Sequence, residues 1–201
     1  MIRIKLSIFL ICILSATLAQ SQQGASYPEI LNSHPFYGKQ VTLPRDTALN
    51  GSVVNLEDYK NHIVLIHFWS LTCSGCYKEI PELNILAHEF MDRKVLIISY
   101  MEESSIQLKD KITSGTGFYK LKKPVYGNDL IEFEIIPNAG NVRSVFTSAE
   151  IPRSGVPITF LLKNGILKDL SYGYMLQMGN AKPSESANYQ HLKAMIEKYR
   201  Q

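Results

Sequence analysis

Two short stretches of this chain are almost wholly apolar. They are IVLIHFW at 63–69, broken only by His67, and KVLIISY at 94–100. Both are rich in β-branched residues and too short for buried helices, so they predict strands covered on both faces. Between them Cys76, Ile80, Leu83, Ala87 and Phe90 recur at spacings of four, three, four and three. That is one face of a helix. A strand, a helix and a strand joined over this length form a βαβ unit, which implies parallel strands.

The same pattern places the other elements. Ile158–Lys163 and Ile166–Tyr172 predict strands joined by Asn164-Gly165, the strongest short hairpin signal. Tyr189, Leu192, Ile196 and Tyr199 make the stripe of a closing helix. Residues 41–62 predict a short strand, a turn at Asn50-Gly51, and a second strand or helical turn near Leu56–Tyr59. A serine-capped helix is expected over about 104–112, a strand at IEFEII, and a short helix begun by Asn141.

The first residues read differently. Arg3 and Lys5 precede an apolar run, Leu6–Leu14, and small residues follow, with Thr17 and Ala19 at the minus three and minus one positions of a cut. This is the layout of a secretory signal, and the run is too short to span a bilayer. A lipid-bearing Cys12 would want a small residue before it, and Ile11 stands there. The expected organisation is a signal over 1–19, a polar linker or loosely packed lead-in over 20–40, and one domain over 41–201. The destination is the periplasm or cell envelope, with a tether if the signal stays uncut.

Composition narrows the function. Of 201 residues 45% are hydrophobic and 19% charged, which suits a folded soluble domain rather than a disordered chain. Losing Arg3 and Lys5 takes the basic residues from 21 to 19, against 18 acids. That balance asks for no nucleic acid and no anionic membrane. The cut also removes one of three cysteines and leaves Cys73 and Cys76. A bridge closing so short a loop removes little chain entropy, so chemistry explains the pair better than stability does.

Cys73 falls where the strand ending at Trp69 gives way to the helix. The first turn of a helix has free N–H groups and a partial positive charge, which stabilise a thiolate. Cys73 is therefore the candidate attacking sulfur. Cys76, one turn further in and more buried, is the candidate that resolves a mixed disulfide. No cofactor beyond this redox-active pair is expected. Pro81 lies within the helix, where it removes a hydrogen bond and is expected to bend the axis rather than delay the start.

The pattern F-W-x-x-x-C-x-x-C-x-x-E-x-P, carried by Phe68, Trp69, Cys73, Cys76, Glu79 and Pro81, resembles the exported thioredoxin-fold thiol-disulfide oxidoreductases of the TlpA-like and ResA-like type, relatives of the AhpC/TSA redoxins. GSVVNLEDYKNHIVLIHFW resembles their lead-in. Gly155-Val156-Pro157-Ile158-Thr159-Phe160, followed by Asn164-Gly165, resembles their cis-proline strand and hairpin. The likeness spans about residues 40–175.

The resemblance implies an α/β thioredoxin-like fold, a central mixed sheet flanked by helices. It implies a cis peptide before Pro157, with Val156 and Trp69 meeting an incoming peptide; a trans proline on an edge strand is the alternative. Protein thiols or disulfides are the implied substrates. The implied partner is a membrane-bound electron donor or acceptor, and the protein is expected to act as a monomeric reductant. Glu79 matches the family's acid and either moves a proton or is a solvated charge. His67 stands where thioredoxins have a buried acid and this branch often an amide. It either accepts the proton of Cys76 or is a core histidine bonded to backbone, the commoner case. Thr72 replaces a tryptophan found in many relatives, and Ser74-Gly75 replaces proline-containing dipeptides.

Three other readings are weighed. Peroxide-reducing relatives carry threonine three residues before the reactive cysteine, and this chain has Ser70. Two thiolates can hold Cu(I), with Met175 and Met178 as added ligands, but copper chaperones place methionine where Leu71 stands. A partner-binding domain without catalysis would not need the intact cysteine pair. The scattered histidines do not suggest zinc.

Overall fold

The apolar run at 63–69 becomes β3 (Ile63–Trp69), buried along its whole length and central in a five-stranded sheet. The computed structural model describes residues 27–49, 51–91, 93–107, 134–137, 146, 155–173 and 182–200. The expected signal, the continuation of a helix past 107 and nearly all of the expected short helix at 141–151 lie outside these residues, as do Met175 and Met178.

β3 pairs in parallel with β4 (Val95–Met101), and β4 pairs in parallel with β5 (Glu134–Ile136). On its other side β3 runs antiparallel to β6 (Ile158–Lys163), which continues into β7 (Ile166–Tyr172). The sheet order is β5-β4-β3-β6-β7. It is the mixed sheet the resemblance implies. Asn164 and Gly165 both take positive φ, 55° and 74°, as the tight β6–β7 turn requires.

Side chains of β3 alternate between two cores. Val64, Ile66 and Phe68 join Ile98, Tyr100, Phe146, Phe160 and Leu162 on one face. Ile63 and Leu65 join Leu83, Leu86 and Phe90 of α2 (Ser74–Phe90), with Leu192, Met195 and Ile196 of α3 (Ala187–Arg200), on the other. Each such apolar side chain contributes about 1.5–3 kcal/mol by leaving water. His67, two residues after Leu65, faces the helices.

Two expectations change, and a third is settled on its helical-turn alternative. From residue 27 the lead-in packs on the domain: Tyr27–Ser33 forms α1, and Tyr37 and Gln40 bridge to β7. Leu31, His34 and Val41 are buried there, so packing begins well before residue 41. Residues 41–62 give a two-residue hairpin, β1 (Asp46–Thr47) with β2 (Val53–Val54), then a 3-10 turn at Leu56–Tyr59 capped by Asn55. The buried stripe of α2 is rotated from the apolar one, because Glu79, Glu82 and Leu86 are buried while Ile80 and Ala87 are only partly so. Helix α2 begins at Ser74 and passes through Pro81 without a delayed start. Among the described residues no helix is long and apolar enough to cross a membrane.

Candidate active site

Cys73 is the N-cap of α2, in extended backbone at φ −92° and ψ 107°. Its Sγ accepts a hydrogen bond from the Cys76 backbone N–H at 3.1 Å. This is the local reason a sulfur at the cap can carry negative charge: a free first-turn donor points at it, and the helix dipole adds to the effect. Cys73 and Cys76 are joined as a disulfide, with their Cα atoms 5.4 Å apart. Cys73 is half-buried, whereas Cys76 is completely enclosed by Trp69, Leu71 and Met101. One sulfur can therefore be approached from solvent, and its partner lies behind it.

The loop into Cys73 is held by residues that the motif does not include. Glu103, just past β4, accepts the Leu71 backbone N–H with both carboxylate oxygens at 3.0 Å. It also accepts the Ser70 hydroxyl at 3.0 Å. Tyr77 donates its hydroxyl to the Leu71 carbonyl at 3.0 Å and meets the Trp69 ring edge-on. Burial, and then the charge of Glu103, push the Tyr77 phenol up to about 12, so it remains a donor at neutral pH.

Val156 packs against the same apolar cluster as Cys73 and Tyr77, and the Val156–Pro157 peptide is cis. The chain before β6 is thereby brought beside the disulfide. Gly155 lies against the phenol of Tyr172, where a Cβ would collide with the ring. Trp69 is fully buried, so its indole supports the loop from beneath and does not itself reach a partner.

His67 of β3 meets Glu79, which lies one helical turn past Cys76 on α2. His67 Nε2 lies 3.3 Å from Glu79 Oε2, with side-chain exposures of 0% and 2%. The two atoms are close enough for an ion pair if the imidazole is protonated, but they are not aligned as a hydrogen bond. His67 Nδ1 lies 3.0 Å from Ser99 Oγ on the neighbouring strand, so its partner is a side chain and not the backbone. Glu79 is not a solvated charge. Its other oxygen, Oε1, accepts from Asn188 Nδ2 at 3.2 Å. Asn188, Glu82, Ser99, Glu103 and Tyr77 were not singled out by sequence pattern. Only Glu82, three residues after Glu79 and six after Cys76, carries a periodic hint.

Among the described residues no group of three His, Cys, Asp or Glu side chains is arranged to hold a metal ion. Ser70, at the peroxidatic threonine position, has its hydroxyl engaged with Thr72 and Glu103.

Comparison with known proteins agrees with this geometry. The AhpC/TSA family model matches residues 38–126. Thiol-disulfide oxidoreductase ResA of Bacillus thuringiensis subsp. konkukian is 32% identical over 96 residues, covering 45% of this chain and 53% of that protein. The chain thus spans about half the length of that relative. Thioredoxin-like protein YneN of Bacillus subtilis is 27% identical over 129 residues, covering 64% of this chain and 66% of that protein. The crystal structure of the thioredoxin domain of a thiol-disulfide oxidoreductase from Bacteroides vulgatus superposes with a TM-score of 0.51 at 20% identity, over 80% of this chain and 97% of that one. The chain resembles the ResA-like redoxins in sequence and has the thioredoxin-like fold.

Proposed function

We propose that this chain is a thiol-disulfide oxidoreductase of the cell envelope that reduces disulfides in other proteins. The observation that carries the reading is the disposition of the two sulfurs: Cys73 capped at the helix mouth and approachable, Cys76 sealed behind it. In the reduced protein the Cys73 thiolate attacks a substrate disulfide. One substrate sulfur leaves with its electron pair and takes a proton from water, and a mixed disulfide remains. Cys76 then gives up its proton, with Glu79 as acceptor and His67 beside it. Its sulfur attacks Cys73, and the second substrate sulfur departs. The substrate gains two electrons, and the dithiol becomes the disulfide.

The packing of Val156 on the apolar cluster that includes Cys73 supports a role for its backbone in pairing with an extended substrate peptide. Export rests on the charged, apolar and small-residue layout of residues 1–19, and the domain follows it. The chain works as a monomer, and a membrane-bound thiol donor restores the dithiol. The names of the relatives support the reaction class.

The test uses the purified, reduced protein with insulin as the disulfide substrate. Wild type should reduce it. Cys73→Ser should not, and Cys76→Ser should accumulate a covalent mixed disulfide visible by non-reducing electrophoresis and mass spectrometry. Equilibration with glutathione should give a potential of about −270 mV, and a value of about −120 mV would reverse the direction. Failure with insulin together with turnover of hydrogen peroxide would replace the proposal with a peroxidase.

A further inference from the structure

The buried face of α2 does not end its polar content at Glu79. Glu82 follows one turn on and is 1% exposed. Two carboxylates inside a protein core are costly unless they are hydrogen-bonded. The donor comes from a different helix. Asn188, completely buried in the first turn of α3, donates Nδ2 to Glu79 Oε1 at 3.2 Å and to Glu82 Oε2 at 2.7 Å. One amide nitrogen thus serves both acids, while its own Oδ1 has no partner. Ser186 fixes the turn that presents it, accepting the Tyr189 backbone N–H at 2.9 Å.

The groups that face Glu79 come from three elements. β3 contributes His67, on the opposite carboxylate oxygen. Its own helix contributes Glu82. α3 contributes Asn188 and also His191, whose imidazole is pushed down by burial and drawn back up by Asp169 of β7 and by Glu79.

We infer that Asn188 is a positioning residue for the resolving step, orienting Glu79 to take the Cys76 proton and linking it to Glu82. The inference rests on the exchange function proposed above. A hydrogen bond to the charged form of an acid favours that form, and a second negative charge nearby disfavours it. When Cys76 attacks Cys73, the thiol proton goes to the Glu79 carboxylate. The Cys73–substrate bond breaks as the Cys73–Cys76 bond forms. On re-reduction Glu79 returns the proton to Cys76, and the count closes.

The experiment follows reduced protein mixed with dithiobis(nitrobenzoate), whose first released nitrothiobenzoate reports attack by Cys73 and whose second reports resolution by Cys76. Asn188→Ala should slow the second release about tenfold at neutral pH, the loss expected for one hydrogen bond to a charged group, and should move the rising limb of its pH profile upward. Glu82→Gln, which keeps an acceptor but removes the charge, should move that limb downward. The first release is the internal reference. Limbs that stay in place, or move in the same direction, overturn the inference while leaving the exchange function standing. If Asn188→Ala does not fold, Glu82→Gln decides alone: a downward limb supports the inference and a fixed one overturns it. A wild type that yields no second release removes the exchange function itself.

Discussion

Glu103 does more for the candidate site than its position outside the motif suggests. Two oxygens on one backbone N–H and one on the Ser70 hydroxyl stop the loop from turning just before the attacking sulfur. Glu103→Ala should lower stability by about 1–2 kcal/mol through those lost bonds. It should also slow attack by Cys73 more than resolution by Cys76; denaturant titration and the two-phase thiol assay read these separately. Residue identity alone could not announce this clamp. The two cysteines were legible because helix-mouth chemistry follows from local spacing. His67 was legible as a buried imidazole on a strand, and its partner was not, because Ser99 is 32 residues away and reaches it only through sheet pairing.

At the scale of elements, the stretch before β6 is shaped by a contact across the hairpin. Gly155 sits so close to the Tyr172 ring at the end of β7 that a methyl group has no room. Gly155→Ala should cost about 1–3 kcal/mol by overpacking, and should slow exchange with protein disulfides because Val156 is pushed off the cysteine cluster. Adding Tyr172→Ala, which removes the clashing ring, should restore part of both the stability and the rate. Thermal melts and insulin reduction provide the comparison. The strands and hairpin were legible from short apolar runs and the Asn-Gly turn. The buried face of α2 was not, because an apolar stripe counts only apolar residues. Glu79 and Glu82 are polar groups that the core accepts through partners supplied by β3 and α3.

For the whole molecule, the joint between α2 and α3 is both apolar and ionic. Tyr189 donates to Glu89 at 2.6 Å, and Lys193 pairs with the same carboxylate. Burial raises the Glu89 carboxyl, but those two bonds and the nearby charges of Lys193 and Arg93 more than offset it and hold it below its ordinary 4.5. A carboxyl lowered by folding adds stability above its unfolded value and loses it as pH falls through the folded one. Glu89→Gln should therefore be less stable than wild type at neutral pH, by about 0.5 kcal/mol for so exposed a pair. The gap should close in urea titrations taken below the ordinary value.

Helix α3 comes after every described strand, yet it lays Tyr189, Leu192, Met195 and Ile196 over one side of the sheet. Until it has been synthesised, Leu65, Leu86 and Phe90 lack part of their cover. That face of the sheet therefore stays open to water until well after the cysteine pair has been made, and this side of the core closes last among the described elements.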